Sequence, residues 1–499
     1  MAPPQPPFDP FDPCYPGPFP AGASDAAGRD DPARAHAVVV GAGLGGLTAA
    51  VALRRQVERV TLVERDALPE MPAARSGIPQ ARHLHALQPG GLAALERLLP
   101  GLEDELVGLG AVRVGVPRDL LWLSAAGWMQ PFAGRHRTMV SASRDLIEFA
   151  VRRRVLATRG ISLRSGVEVA GLAVDTHRVI GVDLRARGGR PGDRTERLAA
   201  DLVVDASGRR SPAPDWLDAA GYGRPHETLI DAELGYASRI YRRTGEDVVP
   251  GFKAIFLQAR PPHTTRMGVG FPIEGERWML TLAGTNADFP PTDEEGFAAF
   301  ARSLRAPHIA DAIAGMTPVS PIAGYRRTAN RRRHYEDMRL PDGFVALGDS
   351  ACAFNPVYGQ GMSAAALTAE AVERTLADHR ARHQGRLVGA TRPMQKAVAK
   401  ANAGAWTVAT GEDLRYPQTR GGSSSTADRL VRRYLDRVVA AAATDTVVQS
   451  AFYDVIALLA EPTSLLRPAM TLRVLGRRHP AAPADPPIAL TPAAGAGVA

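Results

Sequence analysis

Short apolar runs separated by glycine-rich turns dominate the pattern after the first 34 residues. Residues 37–40 are apolar, a glycine-rich segment follows at 41–46, and residues 60–63 form a second apolar run that ends in Glu64. Apolar runs of this length predict buried strands, and the stretch to about Arg55 has a helical pattern. The pattern therefore predicts a strand, a tight turn, a helix and a second strand within about 30 residues.

Similar apolar runs return far along the chain, at residues 201–205 and 344–347, and each leads into a further glycine motif. Between them, alternating stretches predict antiparallel strands, namely Tyr236–Tyr241, Met267–Phe271 and Arg277–Ala283. The chain after Ser363 has a helical pattern, notably at 428–444. We predict an α/β fold with a discontinuous Rossmann-like domain, an inserted mainly antiparallel sheet domain and C-terminal helices.

The predicted boundaries follow these changes of pattern. They are a disordered Pro/Gly-rich tail at 1–34; a dinucleotide-binding domain at 35–115, 140–225 and 340–380; a substrate domain at 116–139 and 226–339; a C-terminal helical region at 381–475; and a flexible tail at 476–499.

Composition excludes several classes of protein. Hydrophobic residues make up 45% and charged residues 22%, as in soluble globular proteins, and no apolar run is long enough to span a membrane. The N-terminus lacks the pattern of a secretion signal, so a cytoplasmic location is predicted. Two cysteines cannot form a disulfide framework, and the 12 histidines show no metal-binding spacing, so no metal site is predicted. Cys352 is interpreted as a buried apolar filler, with a redox role as the alternative.

The net charge of +8 comes mainly from arginine, and a tight cluster lies at Arg331–Arg333 with Tyr335 nearby. A nucleic-acid surface needs a longer basic stripe interleaved with aromatic residues. The cluster is therefore interpreted as a solvated turn between strands, and an anionic small molecule is a better-fitting partner than nucleic acid.

The glycine segment carries the most specific chemistry. Gly41 permits a tight turn, Gly43 lets the backbone approach a pyrophosphate, and Gly46 lets the helix pack closely on the strand. The start of the helix offers free N–H groups to phosphate. Glu64 is placed to accept hydrogen bonds from an adenosine ribose and would repel a 2′-phosphate. The segment predicts an ADP-containing dinucleotide other than NADP.

Three motifs in order carry a family resemblance: the glycine fingerprint at 41–46, Asp205-Ala206-Ser207-Gly208, and Gly348-Asp349-Ser350 followed by Pro356, Gly359 and Gly361. Over residues 36–475 the chain resembles the FAD-dependent monooxygenase superfamily of the p-hydroxybenzoate hydroxylase type. Segments 77–85, 354–363 and 410–417 resemble more closely the flavin epoxidases of polyether ionophore biosynthesis, the monensin- and lasalocid-type enzymes.

The resemblance implies a role for several residues. Gly41, Gly43, Gly46 and Glu64 should hold the ADP half of FAD, and Arg144 should reach its phosphate and ribitol region, with Arg82 as a second arginine of that kind. Asp349 should bind the ribitol hydroxyls. The backbone at Gly359, Gly361 and Met362 should lie against the isoalloxazine ring, with the N-terminus of the next helix stabilising reduced flavin.

The resemblance also implies a reaction. Reduced FAD would react with O2 to give a C4a-hydroperoxide, and an alkene of a polyketide or polyene precursor would attack its distal oxygen. NAD(P)H or a separate flavin reductase would supply the electrons. This chemistry requires no protein nucleophile, and no catalytic side chain is identified. Met267, Val269 and Phe271 alternate along one strand and, with Trp278 and Leu280, are candidates for the substrate pocket.

Alternatives remain open from the sequence. Many aromatic hydroxylases carry Asp-Gly where this chain has Ser207-Gly208, which leaves the route of flavin reduction open. A phenol or polyketide hydroxylase on the same fold is the nearest rival. An isoprenoid double-bond reductase, a flavin halogenase and a non-catalytic flavin-binding scaffold are further alternatives.

Overall fold

A computed structural model describes residues 34–132, 137–190, 193–243, 252–423 and 425–487. The predicted tail up to residue 33 and the last part of the predicted C-terminal tail, 488–499, lie outside the described residues. In the described part, no helix is long and apolar enough to cross a membrane.

The described strands, in chain order, are β1 (His36–Val40), β2 (Arg59–Glu64), β3 (Ala86–Leu87), β4 (Val112–Val116), β5 (Leu120–Ser124), β6 (Gly127–Trp128), β7 (Arg137–Ser141), β8 (Ile161–Ser165), β9 (Val167–Asp175), β10 (Arg178–Ala186), β11 (Glu196–Ala199), β12 (Leu202–Asp205), β13 (Glu227–Ile230), β14 (Gly235–Arg243), β15 (Ala254–Leu257), β16 (Arg266–Ile273), β17 (Arg277–Gly284), β18 (Met316–Pro318), β19 (Ala323–Tyr325), β20 (Asn330–Arg333), β21 (Phe344–Ala346) and β22 (Cys352–Ala353).

The described α-helices are α1 (Leu44–Arg54), α2 (Pro89–Leu98), α3 (Leu102–Gly108), α4 (Arg144–Leu156), α5 (Ala213–Ala219), α6 (Glu294–Arg302), α7 (His308–Ala314), α8 (Gly361–Arg382), α9 (Thr391–Asp413), α10 (Thr426–Ala442), α11 (Thr446–Ile456) and α12 (Pro468–Gly476).

The first sheet has five strands in the order β21, β12, β1, β2 and β8, and every neighbouring pair is parallel. All five residues of β1 are buried, as expected for a central strand covered on both faces. Because the strands are parallel, their carboxyl ends meet at one edge. Gly41, Glu64, Ala206 and Leu347 are therefore brought to that edge from distant parts of the chain, and ligands of open α/β sheets bind there.

The second large sheet has eight strands and contains the central antiparallel run β14, β17, β16 and β15, extended by a parallel pairing of β15 with β5. Helices α6 and α7 cover one face, where Phe297, Phe300 and Ile309 form a buried cluster with Trp278 and Leu280. The opposite face of the sheet looks toward the carboxyl edge of the first sheet. The predicted α/β fold class, with an inserted antiparallel sheet and C-terminal helices, is confirmed.

The C-terminal helices form a third layer beside this face. Val438, Val448 and Tyr453 pack with Trp122 of β5 and Met129 in one buried cluster. The backbone of Trp128 donates a hydrogen bond to the carbonyl of Pro483. Residues near Pro483, within the predicted flexible tail, therefore pack against β6.

The interpretation of Arg331–Arg333 as a solvated turn is wrong. These residues belong to β20, and Arg333 is buried, with its guanidinium on Glu227 at 2.7 Å and on the carbonyl of Ser350 at 2.8 Å. The interpretation failed because strand pairing with β13 and β22 satisfies this backbone and supplies the carboxylate. Cys352, next to this strand, is buried, and its burial raises the pKa of the thiol, as suits a filler residue.

Candidate functional site

A cavity of about 840 Å³ lies between the carboxyl edge of the parallel sheet and the uncovered face of the antiparallel sheet. One end is formed by the glycine turn and by loops of the first domain. The other end is formed by β16, β5 and the C-terminal helices. Eight of the residues predicted to bind the cofactor line this cavity: Gly41, Gly43, Glu64, Arg144, Asp349, Gly359, Gly361 and Met362.

The glycine turn has the geometry that a pyrophosphate site requires. Gly41 has a φ of +98°, and a Cβ there would lie 2.7 Å from the carbonyl oxygen of Ala206. A Cβ on Gly46 would overlap the carbonyl of Gly41, so this glycine is needed for the packing of α1 on β1 and does not line the cavity. Gly43 is different, because a Cβ there would meet only the Arg75 guanidinium at 3.8 Å.

The N-terminus of α1 opens into the cavity without a cap. Gly43 at the N-cap position makes no side-chain hydrogen bond, and the first turn contains no acidic residue. The first N–H groups of a helix have no partner within it, and the helix dipole adds partial positive charge there. This helix end therefore fits an anionic group such as pyrophosphate.

An arginine that the sequence interpretation missed lies beside this turn. Arg75 is buried among carboxylates, 3.1 Å from Glu64, 2.7 Å from Glu148 and 3.7 Å from Asp66. Burial lowers its pKa, but the carboxylates outweigh this effect and raise it, so Arg75 stays charged. It lines the cavity next to Gly43. Arg75 was missed because it lies in an irregular segment that has no periodic pattern.

Glu64 is held in place by backbone donors. Its two carboxylate oxygens accept from the N–H groups of Ala42 at 2.8 Å and Asp66 at 2.9 Å. A carboxylate has about four acceptor positions, so capacity remains for ribose hydroxyls. The position at the end of β2 agrees with the predicted ribose-binding role.

Arg144 begins helix α4, whose N-cap Ser143 accepts a hydrogen bond from the N–H of Leu146. Its Nη2 donates to Glu148 at 3.0 Å, whereas its Nε is buried without a partner among the described residues. Buried donors are rarely left unpaired, so an unpaired arginine N–H in a cavity indicates a missing acceptor. A phosphate or ribitol oxygen of FAD would supply it.

The second glycine motif forms another wall, which adjoins the first glycine turn where Gly348 lies close to Gly45. Asp349 lines the cavity 3.9 Å from Arg209, and its burial raises the pKa of the carboxyl, against the lowering effects of Arg209 and Arg144. Helix α8 starts at Gly361 without a side-chain cap or an acidic first turn. The Oε1 atom of the adjacent Gln360 is buried without a partner among the described residues. Orphaned donor and acceptor atoms at both walls thus fit a large polar cofactor.

The loop before α8 is held in place by hydrogen bonds to a buried carboxylate of α9. Asp413, at the end of α9, accepts hydrogen bonds from Asn330 at 2.6 Å, from Asn355 at 3.1 Å and from Tyr358 at 2.7 Å. Burial raises the pKa of Asp413 to about 6, although these donors oppose the rise. The segment 410–417, singled out by resemblance, therefore fixes the position of the predicted flavin-ring loop.

The Asp205-Ala206-Ser207-Gly208 motif is a closed hydrogen-bonded turn. The buried Asp205 carboxylate accepts from the Ser207 and Ser211 hydroxyls, both at 2.5 Å, and Ser207 and Gly208 line the cavity. Ser207 thus supports the turn through Asp205 and presents no charge to the cavity.

The substrate end of the cavity is largely apolar. One face of β16 lines this end through Met267, Val269 and Phe271. Trp122 of β5 and Phe256 of β15 line it as well. Phe452, Tyr453 and Ile456 of α11 form the far wall. The C-terminal helices, which the sequence assigned no functional residue, therefore enclose the site.

Besides Gly46, three predicted site residues do not line the cavity: Arg82, Trp278 and Leu280. The prediction for Trp278 is wrong: its register opposite Pro272 and Tyr241 places it on the other face of the sheet, in the core under α6 and α7. Leu280 lies in that core as well. Arg82 is exposed at the end of a short 3₁₀ turn and does not line the cavity, so its contact with the cofactor stays a prediction.

The chain matches a protein-family model described as FAD binding domain over residues 34–401. The chain belongs to this FAD-binding family. The predicted use of FAD is thereby supported, and the residues described above fit that cofactor.

Among known proteins, this FAD-binding family member is 33% identical to Protein Rv3254 of Mycobacterium tuberculosis (strain ATCC 25618 / H37Rv) over 424 residues, which are 84% of this chain and 88% of that protein.

Solved structures share the fold. The flavin-dependent brominase Bmp2 superposes with a TM-score of 0.61 at 14% identity, covering 88% of this chain and 98% of that chain. The p-nitrophenol 4-monooxygenase PnpA from Pseudomonas putida DLL-E4 gives 0.57 at 18% identity, covering 85% and 98%. At this level of identity the likeness concerns the fold, which is that of flavin-dependent monooxygenases and halogenases.

Proposed function

We propose that this FAD-binding family member is a monooxygenase that epoxidises one or more alkenes of a polyketide or polyene precursor in specialised metabolism. The observation that carries the proposal is one continuous cavity, which is lined at one end by the glycine turn with its predicted FAD contacts and at the other by largely apolar side chains. The likeness of segments 77–85, 354–363 and 410–417 to polyether epoxidases supports the choice of an alkene.

The cofactor end would hold FAD through contacts already described. The α1 N-terminus at Gly43 would take the pyrophosphate, Glu64 the ribose and Asp349 the ribitol, while Arg144 would donate to a phosphate or ribitol oxygen. The loop from Gly359 to Met362 would lie along the ring. Bound FAD, reduced by NAD(P)H or by a partner flavin reductase, would supply the two electrons needed to insert one oxygen atom of O2 into the product and to release the other as water.

The protein groups at the substrate end would orient the alkene and exclude water. Met267, Phe271 and Phe256 offer an apolar wall, and an alkene is itself an adequate nucleophile toward an electrophilic oxygen. No proton needs to be removed from such a substrate before oxygen transfer. Dry surroundings also limit unproductive release of peroxide.

A second candidate is an aromatic or polyketide hydroxylase. The cavity wall contains hydroxyl and imidazole groups of Tyr236, Tyr325 and His83, which could bind a phenol. The fold is shared with a p-nitrophenol 4-monooxygenase. This observation favours a hydroxyl-bearing substrate without deciding the reaction.

The test is a turnover assay under isotopically heavy oxygen gas with two probes. Farnesyl acetate offers isolated alkenes, and p-nitrophenol offers an ionisable ring. The FAD-loaded protein is supplied with NADH or NADPH, alone or with a flavin reductase, and products are analysed by mass spectrometry. A labelled epoxide or its diol from farnesyl acetate is expected.

Labelled product from p-nitrophenol alone would overturn the epoxidase proposal in favour of the hydroxylase. Saturation of an alkene under anaerobic conditions would overturn the monooxygenase proposal itself and indicate a reductase. Absence of any product from a protein that is fully loaded and reducible would also contradict it.

A further inference from the structure

His83 lies where the cofactor loop meets the substrate sheet. Five residues downstream, the N–H of Gln88 donates to the Ser363 hydroxyl at 3.1 Å, which fixes the segment to the first turn of α8, next to the predicted ring-binding loop. On the other side, the His83 ring packs edge-on against Tyr236 of β14, with centroids 4.5 Å apart, and lies 5.7 Å from the Tyr325 ring. His83 lines the cavity although only 3% of its surface is exposed.

A chain of hydrogen bonds connects His83 with two hydroxyl groups of the sheet. Its Nδ1 atom is 2.8 Å from the Ser238 hydroxyl, which is 2.6 Å from the Thr281 hydroxyl. Thr281 also lines the cavity, and the N–H of Leu84 donates to its oxygen at 3.4 Å. The Nε2 atom of His83 has no hydrogen-bond partner among the described residues. Both end residues of this hydrogen-bond chain, His83 and Thr281, therefore line the same cavity.

The surroundings keep the hydrogen-bonded groups of His83, Ser238 and Thr281 uncharged. Burial, assisted by the positive charge of Arg82, lowers the pKa of His83 to about 4. The other groups near the ring are neutral: Ser238 and Thr281, the Tyr236 and Tyr325 phenols, and His85, whose own pKa is lowered to about 3 by burial and Arg144. A neutral imidazole can accept a proton at one nitrogen while it releases one from the other.

We propose that His83, Ser238 and Thr281 form a neutral proton relay that moves a proton between two points of the cavity during oxygen insertion. This inference rests on the proposed monooxygenase function. His83 Nε2 accepts a proton, Nδ1–H passes its proton to Ser238, Ser238 passes its own to Thr281, and Thr281 releases a proton into the cavity. Between turnovers Thr281 takes up a proton from water and Nε2 releases one to water, which restores the starting tautomer.

The relay fits the balance of the reaction. One alkene, one O2, two electrons from the nicotinamide-reduced flavin and two protons yield one epoxide and one water. The oxygen atom that joins the substrate loses its proton, and the oxygen atom that leaves gains one. A relay with two openings can couple these events without forming a buried imidazolium, which burial would penalise.

The first experiment reads the relay without turnover. In protein with ¹⁵N-labelled imidazoles, the His83 signals are assigned by their loss in His83→Gln. We expect a neutral ring at neutral pH with both tautomers populated, and a shift toward one tautomer in Thr281→Val. A charged ring, or a tautomer ratio that Thr281→Val leaves unchanged, would overturn the relay.

The second experiment uses oxygenation of farnesyl acetate, in water and in heavy water. Thr281→Val and Ser238→Ala should lose product formation by about tenfold or more, with the lost electrons appearing as hydrogen peroxide and with FAD content unchanged. The wild-type solvent isotope effect should decrease in both variants.

The matched control is Thr61→Val. Thr61 belongs to another buried histidine–hydroxyl chain, formed with His36 at 2.9 Å and Ser162 at 3.2 Å, and it does not line the cavity. If Thr281→Val and Thr61→Val give the same product formation and the same solvent isotope effect, the relay is refuted. If no probe is oxygenated by the wild type, the proposed function fails, and the imidazole spectra still decide whether the relay exists.

Discussion

At the residue scale, the glycines of the fingerprint have separate physical roles although they lie within six positions. Gly46 is required by packing, because any side chain there would overlap the Gly41 carbonyl. Gly43 has room for a methyl group and ordinary backbone angles, with φ −75° and ψ 179°. What an alanine at Gly43 would obstruct is the ligand that approaches the α1 N-terminus.

These two glycines give a paired prediction. Gly43→Ala should change the free energy of unfolding of the FAD-free protein by less than about 1 kcal/mol and weaken FAD binding about tenfold or more, because the methyl group displaces the pyrophosphate from the backbone N–H groups. Gly46→Ala should destabilise the protein by more than about 3 kcal/mol through steric overlap. Urea unfolding and flavin-fluorescence titration measure the two effects. Tight FAD binding by Gly43→Ala would refute the assigned site.

At the element scale, strands β16 and β17 divide their side chains between two environments. In antiparallel pairing, residues opposite each other share a face, so Phe271 shares its face with Met279 and Pro272 shares its face with Trp278. The first face lines the cavity, and the second is covered by α6 and α7. Alternation alone indicates that neighbours differ in face, but it does not tell which face is the cavity.

Truncation of a side chain on the core face should therefore reduce mainly stability, whereas truncation on the cavity face should also change substrate preference. Trp278→Ala should cost about 3–5 kcal/mol in free energy of unfolding, since it opens a void in a closed core. Phe271→Ala should cost less, about 1–2 kcal/mol, because one side of that ring already faces the cavity, and it should alter the preference for bulky alkenes. Denaturant unfolding and competition between substrates of different width test both effects. Equal stability losses would contradict this assignment of faces.

At the scale of the whole molecule, the active cavity depends on contacts between segments far apart in sequence. Asp413 holds Asn330, Asn355 and Tyr358 and so joins α9, β20 and the loop before α8. These hydrogen bonds fix the predicted ring-binding loop to the C-terminal helices, which also line the apolar end of the cavity. Loss of this junction should loosen both ends of the cavity together.

The junction also predicts a dependence of stability on pH. The pKa of Asp413 is about 6 in the folded protein, above its value of 3.8 in the absence of burial. Because the folded state then binds the proton more tightly, this group stabilises the protein below pH 3.8, and the contribution is lost as pH rises through about 6. The loss between pH 5 and pH 8 is about 1 kcal/mol.

Asp413→Asn should remove that pH-dependent part. The free energy of unfolding is measured for the wild type and for the variant from pH 5 to pH 8. Over this range it should decrease by about 1 kcal/mol more in the wild type than in the variant. Asp436→Asn is the control, since Asp436 is more exposed and pairs with Arg415. An unchanged pH dependence in Asp413→Asn would show that another group is responsible.

Features that rest on local geometry could be predicted from the order of residues. The order of strand, glycine turn, helix and strand followed from the 37–64 segment, because turn formation and helix packing depend on neighbouring residues. The later glycine motifs and the family resemblance then indicated the fold, and the cofactor roles of Asp349 and the Gly359–Met362 loop stay predictions.

Features that depend on pairing between distant segments became visible in the folded protein. The register of β16 with β17 excluded Trp278 from the cavity. Arg75 joined three carboxylates from β2, the following loop and α4, and His83 met Ser238 and Thr281, 155 residues or more away. Such contacts leave no periodic signal in the chain, because each partner is selected by how whole elements pack rather than by its neighbours in sequence.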